Sequence, residues 1–302
     1  IPLPFFHIGT DYYNIPGTEK IIKASLVTCF HSKTPLIASL TPRNSLTEAE
    51  SLIQLVSNDL IEREIKTKVP LTGSFIIIYS KETLSDEEAA LLGRGKVLLE
   101  SQNYLIKEVN HEELFASSSS QKQRDFSNKR GLLILKNGFL LSEDSYFYFS
   151  NYDSLPEKEY VGNAVANNNL MEILPNKLNK EKVYEVSFWY KTLDRLDLDN
   201  ILNIKEINGT KDTTTLNSKN IKSMINVQDK KVFATLLFKT DHPENKIIIS
   251  LKGISDREKV FYLDDLMIRA KDNDVFKVSY SPVKKDSVLK INNIDTYMKT
   301  NR

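Results

Sequence analysis

Residues 261–269 read Phe-Tyr-Leu-Asp-Asp-Leu-Met-Ile-Arg, and they place two adjacent carboxylates inside a run that otherwise has the composition of a buried β-strand. A strand needs apolar residues on its core face, so a charged side chain there must be paired, hydrogen-bonded or bound to a metal ion. Asp264 and Asp265 are therefore the first candidate functional residues. Residues 184–190, Tyr-Glu-Val-Ser-Phe-Trp-Tyr, form a second strand-like run, and the two runs together predict that the second half of the chain is all-β.

Further short strands and tight turns support this prediction. The dipeptides Asn137-Gly138 and Asn208-Gly209 tolerate the positive φ angles that a two-residue hairpin turn requires. Apolar runs at 232–239, 246–251 and 260–269 predict additional strands. Many short strands separated by turn residues are typical of a sandwich or jelly roll rather than a parallel sheet.

The first 110 residues alternate helix-like and strand-like signals. Ser45 and Glu48 have capping-box spacing and open a predicted helix over residues 47–66. The apolar run 74–79 predicts a strand buried on both faces, and residues 104–109 predict another. Ser85 and Glu88 repeat the capping box before a short helix that Gly93 ends. This alternation predicts an α/β-type layered domain.

The Ser-rich, polar stretch at 116–130 has the composition of a connection between domains. The predicted fold class is therefore α+β multidomain, with an N-terminal α/β-type layered domain followed by an all-β jelly-roll sandwich. The predicted boundaries are 1–115 for the α/β domain, 116–130 for a linker or mobile loop, and 131–302 for the β-sandwich (jelly-roll) domain.

Composition excludes several classes of function. The 302-residue chain has 41 basic and 40 acidic residues, so no global field favours nucleic acid as a partner. Cys29 is the single cysteine, which excludes internal disulfides and cysteine-based zinc sites. No apolar run is long enough to span a membrane, and the amino end lacks an initiator Met and the features of a signal peptide. We therefore expect a mature or excised fragment, with any signal peptide, lipid anchor or membrane-spanning part lying upstream.

The all-β half resembles the carbohydrate-binding jelly rolls of the galactose-binding-like superfamily, especially bacterial modules attached to glycan-processing enzymes. The resemblance covers roughly residues 140–272 and is carried by three strands at 184–191, 247–253 and 261–268. It implies a glycan or polysaccharide as the partner and an extracytoplasmic location, periplasmic or at the cell surface.

A structural calcium ion is also implied by the resemblance, because the closing-strand Asp of many such jelly rolls is a calcium ligand. Asp264 alternates with Tyr262, Leu266 and Ile268 and is expected to face inward, whereas Asp265 alternates with Leu263 and Met267. The alternative is an Asp satisfied by backbone N–H groups or by a nearby arginine such as Arg269.

The strand around Trp189 supplies the candidate ligand-binding residues. Alternation places Tyr184, Val186, Phe188 and Tyr190 on the core face and Glu185, Ser187, Trp189 and Lys191 on the other. An aromatic ring on a polar face can stack on a sugar while Glu185 and Lys191 hydrogen-bond the hydroxyls. The alternative is that Trp189 lies beneath a loop or against the first domain.

No catalytic residues are assigned. Glu48 and Glu88 could be paired carboxylates of a glycosidase, but their capping-box positions already explain them. The favoured function is a non-catalytic, extracytoplasmic bacterial accessory module that binds or presents glycan. The leading alternative is the soluble part of a membrane-bound enzyme, such as a glycosyltransferase, whose catalytic core and membrane anchor belong to the remainder of the protein. A third possibility is a structural module that uses the jelly roll for protein contacts.

Overall fold

The computed structural model describes residues 1–8, 10, 12–40, 44–69, 71–150, 158–162, 167–192, 200–209, 212–253, 259–281 and 286–297. The chain divides into two compact units. The first comprises residues Ile1–Ser118 and Ile225–Lys230, and the second comprises Ser119–Met224 and Lys231–Arg302. Among the helices of the described residues, none is long and apolar enough to cross a membrane.

The helices and strands are named in chain order. They are β1 (Pro2–Leu3), α1 (Glu19–Ser32), α2 (Leu46–Ile53), β2 (Ser74–Tyr79), α3 (Asp86–Leu92), β3 (Lys96–Glu100), β4 (Leu105–Asn110), α4 (His111–Leu114), α5 (Ser119–Lys129), β5 (Ile134–Lys136), β6 (Phe139–Leu141), β7 (Tyr148–Ser150), β8 (Lys158–Gly162), β9 (Asn167–Ile173), β10 (Tyr184–Thr192), β11 (Asn200–Ile207), β12 (Thr213–Asn220), β13 (Val227–Gln228), β14 (Lys231–Phe238), β15 (Lys246–Gly253), β16 (Lys259–Ala270), β17 (Val275–Ser281), β18 (Asp286–Ile291) and β19 (Ile294–Tyr297). Three short 3-10 helices cover Glu64–Thr67, Arg130–Leu132 and Ile221–Ser223.

The first unit contains a four-stranded sheet in the order β1-β2-β4-β3, in which β1 runs parallel to β2 and the other pairs are antiparallel. The predicted strands at 74–79 and 104–109 are confirmed as β2 and β4. Ile77 and Ile78 point to opposite faces of β2 and both are buried, so the middle of the strand is covered on both sides. The layered α/β arrangement of this unit stays a prediction.

Both predicted capping boxes are present. The Ser45 hydroxyl accepts the Glu48 N–H, and the Glu48 carboxylate accepts the Ser45 N–H. Ser85 and Glu88 make the same exchange at the start of α3, where Glu88 also accepts the backbone N–H of Phe5 at 2.6 Å. Glu88 therefore joins the amino-terminal segment to this helix, and both glutamates have the capping role that the sequence predicts.

The helix predicted over residues 47–66 is wrong beyond Ile53, where α2 ends. Polar side chains bind the backbone of the following turns and compete with helical hydrogen bonds. Gln54 accepts the Glu64 N–H through Oε1 at 3.0 Å, and Arg63 donates to the carbonyl of Leu114. The apolar residues of this stretch have helical spacing in the sequence. Leu60 nevertheless lies in a turn, where tertiary contacts bury it.

A second correction concerns the stretch at 116–130, predicted as a linker or mobile loop. Most of it forms the helix α5, which is anchored to the second unit on one face. The Phe126 ring lies 5.2 Å from that of Phe276, and the Lys122 ammonium lies 2.8 Å from both carboxylate oxygens of Asp274. Because Lys122 and Phe126 are four residues apart, a helix presents both to the same neighbour. The polar composition of residues 116–130 reflects the exposed face of α5. It gives no indication that Lys122 and Phe126 anchor the helix.

The second unit contains three sheets. The central sheet has the strand order β14-β10-β16-β7, with β8 also paired to β16. The four-stranded sheet has the order β12-β11-β15-β9, and the covering sheet has the order β19-β18-β17-β6-β5. The Asn137-Gly138 hairpin is confirmed between β5 and β6, with φ angles of 52° and 79°. Asn208 and Gly209 also follow β11, but they do not form a two-residue turn, because β12 begins only at Thr213 and neither residue has a positive φ.

The central sheet and the four-stranded sheet enclose the main core. On β10 the predicted core residues Tyr184, Val186, Phe188 and Tyr190 are all buried, which confirms their assignment to one face. Leu202 and Ile204 on β11 are completely buried. The Asn200 amide donates to the Tyr190 hydroxyl and joins the two sheets at one end. The β-sandwich predicted for the second half is thus present.

The covering sheet packs on the opposite face of the central sheet. Met267 of β16 is completely buried in a cluster with Phe139, Leu141, Phe147 and Val275, which come from the covering sheet and the chain beside it. The central sheet is therefore buried on both faces, and the second unit has three β-layers where a simple sandwich has two.

The anchoring of α5 can be tested with Phe126→Ala. Removing this buried ring should destabilise the second unit by about 3 kcal/mol and should increase tryptic cleavage between residues 122 and 130. Phe126→Leu, which keeps an apolar side chain, is the matched control and should cost less. Limited proteolysis and thermal melting measure both effects. Equal cleavage of the native chain and Phe126→Ala would show that α5 is not held by this contact.

Residues Ile225–Lys230 complete the first unit and are held there by polar contacts. The Glu50 carboxylate accepts the Lys230 N–H at 3.1 and 3.3 Å, and the Tyr12 hydroxyl donates to the Lys230 carbonyl at 3.1 Å. Burial raises the pKa of Glu50 to about 7, even though the Lys230 N–H favours the charged form, and the charges of Glu64 and Asp229 raise it further.

This raised pKa predicts a pH dependence of stability. The folded state holds the Glu50 proton up to about pH 7 while the unfolded chain releases it near 4.5, so stability is full at low pH and is lost as the pH rises across this window. Glu50→Gln keeps an acceptor for the Lys230 N–H and removes the titration. Relative to the native chain, its melting temperature should rise between about pH 4.5 and pH 8, by the equivalent of at most roughly 3 kcal/mol. A constant difference between the two proteins would contradict this assignment.

Candidate functional site

The predicted ligand-binding residues lie on the face of the central sheet that meets the covering sheet. Glu185, Ser187, Trp189 and Lys191 alternate with the core residues of β10, as predicted. Ser187 is completely buried, whereas Trp189 and Lys191 are half-buried. This face of β10 is therefore largely an internal packing surface.

Trp189 is held by two neighbours. Its indole Nε1 donates to the carbonyl of Asn293 at 3.0 Å, in the turn between β18 and β19. Its ring lies 4.9 Å from that of Phe233, the residue opposite it on β14. A buried indole requires a hydrogen-bond acceptor, and Asn293 supplies it. The turn thus contacts the half-buried Trp189 on one side. Sugar binding by Trp189 and the alternative of a position beneath a loop both stay predictions.

Glu185 forms an ion pair with Arg269, with Oε1 and Nη2 separated by 2.9 Å and both side chains nearly buried. Arg269 Nη1 also donates to the carbonyls of Ala270, Lys271 and Asn273. The pair satisfies two charges that the covering sheet removes from water. Lys191 lies at the other end of β10, opposite Tyr262, so Glu185 and Lys191 do not converge on one point.

The alternation predicted for Asp264 is wrong because β16 contains a β-bulge. Ser187 pairs with Met267, but Trp189 pairs with Asp264, so β16 has one extra residue between them. Asp265 has a φ of 56°, a left-handed conformation that Asp tolerates better than most residues. The extra residue reverses the alternation, and Asp264 lies on the same face as Trp189 rather than facing inward with Ile268.

Asp265 is almost fully buried and forms an ion pair with Lys290 of β18. Burial alone would lower the pKa of Lys290, but the carboxylates of Asp265, Asp295 and Asp264 outweigh it, and the pKa is raised. The Asn293 amide donates to the Asp265 carbonyl. Asn293 therefore contacts both Trp189 and Asp265, and it joins two of the predicted site residues.

Asp264 lies 3.8 Å from the ammonium of Lys231, so a lysine is near each of the two adjacent carboxylates. Arg269, the partner suggested from the sequence, is instead the partner of Glu185. Within the described part of the chain, no three His, Cys, Asp or Glu side chains are grouped so that they could hold a metal ion. Calcium binding by Asp264 and Asp265 stays a prediction.

A second polar surface was not predicted. The four-stranded sheet turns one face to the core. The other face, here named the open face, carries exposed residues such as Ser218 and Asn169, although Asn203 and Ser250 on it are buried. The open face is formed by alternate residues of its strands, namely Thr213, Thr215, Ser218 and Asn220 on β12, Ile201, Asn203, Lys205 and Ile207 on β11, Lys246, Ile248, Ser250 and Lys252 on β15, and Asn169 and Glu172 on β9. Bulges in β12 and β9 keep these residues on one side.

One row of the open face consists entirely of small polar residues. Ser218, Asn203, Ser250 and Asn169 lie side by side on four adjacent strands and are here named the polar row. With strands about 4.8 Å apart, the row is roughly 14 Å long. Ser218 Oγ donates to Asn203 Oδ1 at 2.8 Å, and Asn203 Nδ2 donates to the Ile201 carbonyl at 3.2 Å. These two bonds fix the orientation of the central amide.

Sequence reasoning missed the polar row because its four residues come from strands that are distant in sequence. Within β11 the alternation of Ile and polar residues predicts only a strand with one core face. Nothing in that pattern indicates that Ser218, Ser250 and Asn169 lie beside Asn203. The signal exists only after strand order and register are known.

Comparisons with known proteins return carbohydrate-binding jelly rolls. No family model matches the chain, and no curated protein matches it. Similar solved structures include the CBM22-1 xylan-binding domain of Paenibacillus barcinonensis Xyn10C, at 14% identity over 45% of this chain and 87% of that chain, with a TM-score of 0.28. Another is the C-terminal family 22 carbohydrate-binding module of Clostridium thermocellum Xyn10B, at 9% identity over 46% and 88%, with a TM-score of 0.25.

A third similar structure is the family GH115 4-O-methyl-α-glucuronidase BtGH115A, at 10% identity over 43% of this chain and 18% of that chain, with a TM-score of 0.24. Identities and TM-scores of this size say nothing about the ligand.

The buried Asp265–Lys290 pair predicts a strong effect of removing one charge. Lys290→Met should leave the Asp265 carboxylate buried without its cation and destabilise the second unit by on the order of 3 kcal/mol or more. Adding Asp265→Asn, which keeps a residue that tolerates the left-handed backbone, should recover part of that loss. Denaturant unfolding of both variants measures the difference. Equal stability of Lys290→Met and the native chain would show that the pair is not buried in solution.

Proposed function

We propose that the second unit binds a polysaccharide along the open face of its four-stranded sheet. The single observation that supports this proposal is the polar row, which places amide and hydroxyl groups from four strands side by side on a rigid surface. Sites on sheets hold their side chains more precisely than sites on loops. The favoured role is that of a non-catalytic accessory module that binds or presents glycan outside the cytoplasm.

The chemistry of the polar row suits sugar hydroxyls. An Asn side chain offers one acceptor and two donors, and a Ser hydroxyl offers both functions, so each can exchange hydrogen bonds with a hydroxyl group. Asn203 is buried and bonded to Ser218 and Ile201, so it holds the exposed Ser218 side chain in place, which lowers the entropy that is lost on binding. The open face carries no aromatic ring among its described residues, so hydrogen bonding rather than stacking would supply specificity.

The proposal predicts that small changes in the polar row weaken binding without unfolding the protein. Ser218→Ala with Asn169→Ala removes two exposed polar side chains and should lower affinity for a bound glycan about tenfold or more, at roughly 1 kcal/mol for each hydrogen bond. A glycan array followed by calorimetry with the best ligand measures this. Thr214→Ala is the matched control, because Thr214 is equally exposed on β12 but points away from the open face.

Trp189→Ala separates the two candidate sugar-binding surfaces. Since the Trp189 ring packs on Phe233 and bonds to Asn293, its removal should cost about 3 kcal/mol of stability. Trp189→Phe should retain more of the packing and leave glycan affinity unchanged. Lost affinity with an unchanged melting temperature would instead favour sugar stacking on Trp189. If the native chain binds no glycan at all, the interpretation as part of a membrane-bound glycosyltransferase becomes the stronger one.

Calcium binding by Asp264 and Asp265 can be tested independently of glycan binding. If Asp264 and Asp265 hold a structural calcium ion, a chelator should lower the melting temperature of the second unit, because an ion bound only by the native state stabilises it. Asp264→Asn should abolish that response. A melting curve that is insensitive to both chelator and added calcium would leave Lys231 and Lys290 as the groups that compensate these carboxylates.

A further inference from the structure

The open face carries excess positive charge. Its described residues include Lys205, Lys246 and Lys252 and a single carboxylate, Glu172, which gives a net charge of +2 on a chain whose total is +1. Glu172 is already compensated, since its carboxylate lies 3.3 Å from the Lys246 ammonium. Lys205 and Lys252 make no ion pair with another described residue. On this surface, Lys205 and Lys252 are thus the ammonium groups that no described carboxylate pairs with.

These two lysines flank the polar row. Lys205 follows Asn203 by two residues on β11, and Lys252 follows Ser250 by two residues on β15. Asn203 and Ser250 are directly paired, and β11 and β15 are antiparallel. The two lysines therefore lie on opposite sides of the row, each about 6.6 Å from it along its own strand. A chain that follows the polar row has one ammonium group along each of its edges.

We propose that the ligand of the open face is an anionic polysaccharide, built from uronic acids, whose carboxylates pair with Lys205 and Lys252. This inference rests on the proposed function, because it assumes that a glycan lies along the polar row. A linear glycan in which successive rings are rotated by half a turn directs its carboxylates alternately to its two edges. The lysines match that arrangement, and the exposed Ser218 and Asn169 at the ends of the polar row contact ring hydroxyls.

Lysine suits this role because its ammonium is a mobile point charge on a long stem. It can reach a carboxylate at the edge of a sugar ring without a fixed bidentate geometry. Both pairs would be partly exposed to solvent, so each contributes modestly and is screened by salt. The inference therefore predicts binding that weakens as ionic strength increases, which hydrogen bonds alone would not show to the same extent.

The test compares uronic-acid polymers with their neutral counterparts on the intact chain. Glucuronan, polymannuronate and polygalacturonate are each titrated beside the same polymer after chemical reduction of its carboxyl groups, at about 0.05 and 0.5 M NaCl. We expect at least one uronan to bind more tightly than its reduced form and to lose affinity at high salt. Lys205→Gln with Lys252→Gln should lower that affinity about tenfold and leave the melting temperature unchanged.

Lys23→Gln with Lys129→Gln is the charge-matched control, because both residues are exposed and lie outside the open face. This variant should bind as the native chain does. Equal binding of a uronan and its reduced form, with no effect of salt or of the Lys205 and Lys252 changes, overturns the anionic ligand but leaves glycan binding intact. Failure to bind any glycan, charged or neutral, overturns the proposed function itself.

Discussion

Burial of both faces of the central sheet is the constraint on which the second unit depends. In a two-layer sandwich, the strands β10 and β16 would each turn one face to water. Here the covering sheet packs on that face, so every charge on it needs a partner. Glu185 pairs with Arg269 and Asp265 with Lys290, while the Trp189 indole donates to the Asn293 carbonyl. The first of these pairs lies within the central sheet, whereas the contacts of Asp265 and Trp189 join the central sheet to the β18–β19 part of the covering sheet.

The β-bulge at Asp265 is a consequence of the same constraint. By adding one residue, β16 keeps Leu266 and Ile268 in the main core and turns Asp264 toward the other layer. A regular strand would direct the Asp264 carboxylate into the apolar core, where its desolvation would be far more costly than the strain of a left-handed Asp. The two adjacent carboxylates thereby become part of the packing between sheets, each with a lysine nearby.

Because the covering sheet packs on the central sheet, the candidate binding surface lies on the four-stranded sheet instead. The ends of its polar row, Ser218 and Asn169, are exposed, whereas Asn203 and Ser250 between them are buried. The neighbouring Lys205 and Lys252 give this face a positive charge. The single aromatic residue that attracted attention in the sequence, Trp189, has the polar neighbours that a sugar-binding ring would have. Those neighbours face the covering sheet. A strand face with polar residues can therefore be a packing surface and not a binding surface.

Local signals in the sequence were sufficient for several strands, among them β2, β4, β10 and β16, for the hairpin at Asn137, and for both capping boxes, since each depends on residues within a few positions. The end of α2 and the presence of α5 were not predictable, because Gln54 and Phe126 contact residues that are not their neighbours in the sequence. The sequence by itself determined that the second half is an all-β sandwich with buried carboxylates. Only the tertiary structure decided which face of each strand is covered, because register and layer order bring together residues from separate strands and a single bulge reverses the alternation.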